Sequence, residues 1–293
     1  MIDQDVVQQA VAVAARAASD AGVDIRAADE LAEVAAVRET LGDVWADPQH
    51  LVPRELLRAI SRFGGVLLGA WDADTCVGGS LGFFGEHDGM FRLHSHTTAV
   101  ADTHRGRHVG LGLKLAQRVR ALQAGVEVVT WTFDPLLRAN ARFNLERLGA
   151  VGVGYEPDFY GPRDDVFNAG DLTDRLVLDW RVARPEVQAR AEGEAAPTPP
   201  PTLGDQILVS DRDGWPTRTH PTLDRTRPAW VATPEGAVSL RRTDPELARA
   251  WRLSVRDALV EALDAGWVVA GFAEGGWLRL VPERSFVQTN RTP

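Results

Sequence analysis

A mixed α/β (α+β) fold is what the sequence predicts: a largely antiparallel sheet flanked by helices, then a smaller C-terminal α/β unit. Three features of the 293-residue chain predict it. The strand-like runs Val66–Trp71, Cys76–Phe84 and Phe91–Ala101 follow one another with only short turns between, which is hairpin spacing. After Ala101, strand-like and helical patterns alternate. At Pro185 the composition changes: PEVQARAEGEAAPTPPPTLGD holds four prolines within Pro197–Pro201 and almost no large apolar residue, and reads as a semi-extended linker.

The elements follow in order. Asp5–Ala21 is Ala- and Val-rich, a surface helix. Val23–Arg26 alternates as a strand does, and Asp29 is placed to N-cap a helix over Glu30–Trp45. Pro53 suits a first helical turn, giving a helix to Arg62 that Gly64 and Gly65 end. The turns Asp72–Thr75 and Glu86–Gly89 separate the three hairpin strands. Gly110–Gln123 carries Leu113, Ala116, Val119, Arg120 and Gln123 at helical spacing. Val126–Phe133 is a buried strand by its β-branched and aromatic content. Leu137–Leu148 is a helix closed by Gly149, and Val151–Tyr155 and Arg175–Arg181 are strands. Beyond the linker, Gln206–Ser210 and Ala229–Ala232 are strands. Asp244, Pro245 and Glu246 open a helix to Leu263 with the stripe Leu247, Trp251, Val255, Leu259 and Leu263. Trp267–Phe272 and Trp277–Val281 form a terminal hairpin. The expected bounds are an N-terminal helix over 1–22, a first domain over 23–185, a linker over 186–205 and a C-terminal unit over 206–293.

Apolar residues at 44% and charged ones at 25% suffice for a sizeable core and exclude disorder as the main state. A net charge of −9 is the wrong sign for a whole-chain nucleic-acid binder, so no nucleic-acid partner is expected. The single cysteine, Cys76, permits no internal disulfide and no Cys-based zinc site. The first residues lack signal-peptide pattern, and no run approaches the ~20 apolar residues of a membrane span. A cytoplasmic protein without a membrane partner is the expectation.

The window LHSHTTAVADTHRGRHVGLGLKL, Leu93–Leu115, carries the chemistry. A strand runs into a short basic turn and then into a glycine-rich helix start, which turns free backbone N–H groups toward an anion. Arg105, Arg107 and His108 add positive charge there, and the simplest ligand is a phosphate or pyrophosphate. An ordinary Gly-rich turn with solvated arginines is the alternative. The lack of a following GK[ST] excludes a Walker loop, and three strands before the turn argue against a dinucleotide fingerprint.

At these residues the chain resembles the GNAT superfamily of acyl-CoA-dependent N-acyltransferases, over residues 23–181. Two registers of the family's phosphate motif fit. Arg107-x-x-Gly110-x-Gly112 matches literally; a register placing Val100, Arg105, Gly106 and Gly110 in family positions starts the helix where periodicity wants it, and is preferred. It puts His108 where the family has glycine. The later family motif is half present in RANARFNLERLGA: Arg138 stands where Asn is common, Leu145 where a general-acid Tyr often sits, and Asn140 and Asn144 are shifted.

The resemblance implies transfer of an acyl group, acetyl or succinyl, from acyl-CoA to an amine of a small molecule, with a homodimer as a possible assembly. Thr98, Ala99 and Val100 would hold the pantetheine, with an N–H near Val100 facing the thioester oxygen. Arg105, Gly106, Arg107, His108, Val109, Gly110 and Leu111 would hold the pyrophosphate, with Asn140 and Asn144 as further cofactor contacts. His94 falls where some members carry a strand carboxylate, and His94 and His96 share a sheet face, so they are the candidate bases. Both also fit as satisfied polar residues on a half-buried strand, and no third ligand at diagnostic spacing supports a metal. Tyr160 is the substitute general acid, packing being its plainer role. Asp134 fits a turn cap better than an amine site, Arg138, Arg142 and Arg147 a solvated face, Trp131 and Trp251 packing, and Cys76 no nucleophile. The alternative function is an acyl-CoA-binding module with little catalysis and a regulatory or interaction role.

Overall fold

The computed structural model describes residues 2–45, 52–161, 163, 170–195, 197–202, 204–219 and 223–284. In chain order the elements are α1 (Gln4–Asp20), β1 (Asp24–Ala27), α2 (Leu31–Trp45), α3 (Arg54–Arg62), β2 (Val66–Asp72), β3 (Thr75–His87), β4 (Met90–Val100), α4 (Val109–Gln123), β5 (Val128–Phe133), α5 (Arg138–Ala141), β6 (Val151–Glu156), β7 (Arg175–Arg181), α6 (Pro185–Glu192), β8 (Asp205–Ser210), β9 (Pro216–Arg218), β10 (Ala229–Ala232), α7 (Ala237–Thr243), α8 (Pro245–Asp264), β11 (Trp267–Ala273) and β12 (Trp277–Pro282). They form two compact units, residues 1–131 with 181–192 and residues 132–180 with 193–293. The bounds expected from composition stand beside this division as a proposal.

In the first unit the strands run β1-β2-β3-β4-β5, antiparallel up to β4 and parallel between β4 and β5. Neighbouring glycines of β3 mark the two faces. A Cβ on Gly79 would meet Val37 of α2, and one on Gly78 would meet Leu113 and Val109 of α4. On the α2 face, Val34, Val37 and Leu41 join Leu57, Leu67, Trp71, Leu81 and Ala99 in one apolar cluster. Burying such side chains contributes roughly 1.5–3 kcal/mol each before the entropy cost of ordering them. On the other face α4 buries Leu111, Leu113 and Leu115, together with Lys114, Gln117 and Arg118. The Arg118 guanidinium donates to the Val182 carbonyl at 2.8 Å and to Gln188 of α6 at 2.7 Å.

The second unit orders its strands β7-β6-β11-β12-β10-β8-β9, with a parallel pair only at β10–β8. Trp180 donates its indole N–H to the Leu148 carbonyl at 2.8 Å, and Trp251 does so to Gly214 at 2.9 Å. Both rings therefore pack without an orphaned donor. The unit also buries an ionic cluster. Arg252 bonds Asp134 at 2.8 Å and Asp171 at 3.0 Å, while Arg241 bonds Asp134 at 2.5 Å and Asp171 at 3.1 Å.

Several elements differ from expectation, each for a local reason. Asp29 does not cap α2; Glu33 does, its carboxylate accepting from Asp29 N and Glu30 N at 3.1 Å. The helix expected over Leu137–Leu148 is α-helical only in α5 and then widens into a π-helical turn over Arg142–Arg147. There Leu148 N reaches back five residues to Phe143 O at 3.0 Å. The linker is not extended throughout. Pro185 occupies the first position of α6, where a missing N–H costs nothing. Thr198 is docked on Glu146, its N–H at 2.9 Å and its hydroxyl at 2.5 Å. Ala196, Leu203 and residues 220–222 and 285–293 of the expected linker and C-terminal unit lie outside the described residues. Strand β9 and helix α7, of three and seven residues, are too short for a periodic signal.

Candidate functional site

Beyond β4 the chain makes a 3-10 turn over Asp102–His104 and then passes through two left-handed residues, Gly106 at φ 78° and His108 at φ 64°, before α4 begins. A glycine adopts this region freely, whereas the histidine carries a strain of about 1–2 kcal/mol. His108 thus occupies a glycine's conformation at the position where the resembled motif has glycine. Leu111 N and Gly112 N bond back to the His108 carbonyl at 3.0 and 3.1 Å. The N–H groups of Val109 and Gly110, in the first turn, have no acceptor within the helix and carry the positive end of its dipole.

The glycines of this segment have separate uses. A Cβ on Gly110 would touch only Val100 Cγ2, at 3.7 Å, and one on Gly106 would meet nothing within 4 Å, so the turn is open. On Gly112 a Cβ would stand 2.6 Å from Ile25 Cδ1 and beside Ala17 and Ala18, so that glycine serves the approach of α4 to β1 and α1. Arg105 is exposed and pairs with Asp102 at 2.8 Å, which offsets part of its charge. Arg107 is exposed. His104 bridges Thr103 at 2.9 Å and Asp72 at 3.1 Å.

Strand β4 supplies the other half. Its ladder to β3 extends to Gly78↔Val100, whereas among the described residues its ladder to β5 consists of Leu93↔Val129 and His94↔Thr130. Past those pairs, Thr98–Val100 belongs to no described ladder with β5, and such an edge can hydrogen-bond an extended ligand. Thr98 Oγ1 lies 2.8 Å from Ser80 Oγ, Ala99 is buried against the α2 cluster and Val100 is half-buried beside Gly110.

A bulge interrupts the β3–β4 ladder: Gly82 pairs with Ser95 but Leu81 pairs with Thr97, so His96 is the extra residue. The His94 and His96 rings lie 6.2 Å apart, and Phe83 of β3 meets them at 5.1 and 6.4 Å. The structure does bring these two histidines together. Burial, aided by His96 and Lys114, pushes the His94 imidazole down to about 4. It is therefore neutral at pH 7, able to accept a proton but a weak base.

The remaining candidates belong to the second unit. Tyr160 is 40% exposed, edge-on to Phe159, with Arg163 and Arg175 over its ring at 5.2 and 5.1 Å. Tyr155 instead donates its hydroxyl to Asp174 at 2.8 Å, and burial with that carboxylate pushes its phenol up. Asn140 is exposed and Asn144 buried. Asp134 accepts from Leu136 N at 3.0 Å as a turn cap and is bound by Arg241 and Arg252. Arg138 donates to the Thr233 hydroxyl at 3.3 Å and to its carbonyl. The Cys76 thiol, in the first unit, is pushed up by burial and bonds the Gly78 carbonyl, which fits no nucleophile. Among the described residues no cluster of His, Cys, Asp or Glu is built to hold a metal ion, and no helix is long and apolar enough to cross a membrane.

Sequence reasoning missed Lys114. Its ammonium is buried 2.8 Å from Ser95 Oγ and 3.8 Å from the centroid of Trp131, and burial pushes it down to about 7. The signal was a lone lysine between Leu113 and Leu115, three residues before Gln117, on what proves to be the inner face of α4.

No family model and no curated protein matches the chain. Solved structures similar to it include the NatC complex bound to Gag peptide and CoA, at 14% identity over 54% of this chain and 98% of that one, with a TM-score of 0.45. An acetyltransferase of the GNAT family from Streptococcus pneumoniae matches at 14% identity over 54% and 97%, with a TM-score of 0.43. The ribosomal-protein-S18-alanine N-acetyltransferase from Escherichia coli matches at 10% over 55% and 95%, with a TM-score of 0.44. At these values each is a likeness in structure and carries no function to this chain.

Proposed function

We propose that the chain transfers an acyl group, acetyl or succinyl, from acyl-CoA to an amine of a small molecule. One observation carries this reading. Within one unit, the Thr98–Val100 end of β4, past its described pairs with β5, leads directly into an open left-handed turn and the first-turn amides of α4. A pantetheine arm beside the first and a pyrophosphate on the second need this continuity, and the open space at Gly106 and Gly110 fits the group.

Acyl-CoA supplies an activated thioester, and the chain's residues do the rest. The edge amides of Thr98 and Val100, alternating with those that β4 turns to β3 as Ala101 N does to Val77 O, orient the donor, with the Val100 N–H facing the oxygen on which negative charge develops. The amides of Val109 and Gly110, with Arg105 and Arg107, hold the phosphates. His94, neutral at pH 7, takes the proton that the attacking amine sheds, with His96 beside it. The departing thiolate takes its proton from solvent.

Calorimetric titration with acetyl-CoA, succinyl-CoA and CoA tests the reading. Binding with preference for one acyl form is expected, together with its loss in Gly110→Asp, which puts a carboxylate at the phosphate turn. In His94→Ala, acyl transfer should fall by about 100-fold with CoA affinity unchanged. Absence of binding by the wild-type chain would sink the proposal. The low basicity of His94 favours a second reading, an acyl-CoA-binding module with little turnover. Binding without measurable transfer to a panel of amines would select it.

A further inference from the structure

The bulge in β4 changes which residues face α4. Before it, Ser95 points at α4, where its hydroxyl accepts from Lys114 at 2.8 Å and donates to Gln117 Oε1 at 2.9 Å. After it, the parity is reversed: Val100 lies against Gly110 of α4, while Ala99 joins Val34, Val37 and Leu41 of α2 on the opposite face. In an unbroken strand, residues 95 and 99 would share a face. His94 and His96 consequently stand away from α4, both against Phe83.

The switch happens next to Ser95, which α4 grips. Ser95 is 3% exposed, and its two side-chain partners are themselves buried, Lys114 at 5% and Gln117 at 0%. The lysine is held on its other side by the face of Trp131 of β5. A buried polar group of this kind stays where its partners are, because moving it leaves each of them unsatisfied at a cost of about 1–3 kcal/mol.

We propose that Lys114 is a positioning residue: with Gln117 it clamps the Ser95 hydroxyl at the foot of the bulge, and so fixes the face on which His94 and His96 stand. The inference rests on the reading of those histidines as the acyl-transfer bases for its consequence, but not for its geometry. The charged or titratable groups whose field reaches His94 are His96 on its own strand and Lys114 of α4, on the other face of the sheet. Across the ladders it meets Phe83 of β3 and Thr130 of β5, and α2 packs at the Ala99 end of β4 through apolar side chains.

Histidine-labelled full-length protein, with His94 assigned by its loss in His94→Gln, allows its ring to be titrated by NMR in the wild type, Lys114→Met and Ser95→Ala. Lys114→Met replaces a buried ammonium by an apolar chain of similar length and should keep the fold, and Ser95→Ala removes one hydroxyl atom. Both are checked by thermal melts. In Ser95→Ala, where the ammonium stays, His94 should titrate higher by about 1 unit as it loses its fixed, buried setting, and in Lys114→Met the loss of a neighbouring charge adds to that rise. If the reading of the site holds, kcat falls in both while the KM for acyl-CoA stays within about twofold. A folded Ser95→Ala in which His94 titrates as in the wild type overturns the clamp. Failure of acyl-CoA to bind the wild type overturns the functional reading instead, and leaves the titration to decide the clamp by itself.

Discussion

Arg252 has a side chain with no exposed surface, and its guanidinium meets Asp134 and Asp171 together. Two arginines, 241 and 252, against these two aspartates make a buried set near neutrality. Such a set contributes little net stability beside an apolar core, but removal of one member is expensive. Burial alone would raise the Asp134 carboxyl; the charge and hydrogen bonds of Arg252, with Arg241, outweigh it and hold the group well below the usual carboxylate range. With the folded pKa depressed, this contribution is present above the unfolded value of about 3.9 and is lost as pH falls through the depressed one. Arg252→Met should therefore cost about 3–5 kcal/mol in urea unfolding at pH 7. Its acid-unfolding midpoint should move to higher pH, since the variant enters the acid range with less stability to lose. A loss under 1 kcal/mol would show that the cluster is not closed in solution. None of this was legible from sequence. Asp134 was readable as a turn cap, and it is one, but its charge partners lie more than a hundred residues away.

At the scale of the element, the turn before α4 shows what local sequence specifies and what it omits. The basic, glycine-rich run locates the helix start to within one residue of Val109. The place of His108 in the resembled motif marks the position that turns out to be left-handed. Helical spacing predicts α4 but not its inner face. The residues that mark the spacing include Arg120 and Gln123, which are exposed, while the buried face carries Lys114, Gln117 and Arg118. Their burial depends on acceptors from β4 and from residues 182 and 188, which no helical window contains. The histidine's backbone strain gives a direct test. His108→Gly should raise stability by about 1 kcal/mol in a chemical melt, the αL penalty less the entropy of a glycine in the unfolded chain. A loss of stability would mean that the turn does not hold His108 at positive φ.

Across the whole chain, the proline-rich stretch invites a cut that the second unit's own interactions oppose. Composition places an autonomous C-terminal unit at 206–293, and most of its strands and the long helix α8 were readable there from alternation and from Asp244-Pro245-Glu246, whose carboxylate does cap Leu247 N at 3.0 Å. Yet β11 pairs with β6 at Val269↔Gly152, and Phe272 N donates to Glu146 at 2.8 Å. Among the described residues Arg252 is paired by residues 134 and 171, and Arg256 bonds Asp174 at 2.5 Å. Residues 206–293 expressed alone would therefore leave Arg252 a buried charge without its counterions and β11 an uncovered edge. A few kcal/mol for the arginine already takes much of the 5–15 kcal/mol that a domain of ordinary stability has. The fragment should show no cooperative thermal transition and no protected amides by hydrogen exchange. A fragment over 132–293, which restores Asp134, Glu146, β6, Asp171 and Asp174, should regain both. If 206–293 melts cooperatively by itself, the ion pairs and the β6–β11 contact are dispensable, and the composition boundary describes an independent domain after all.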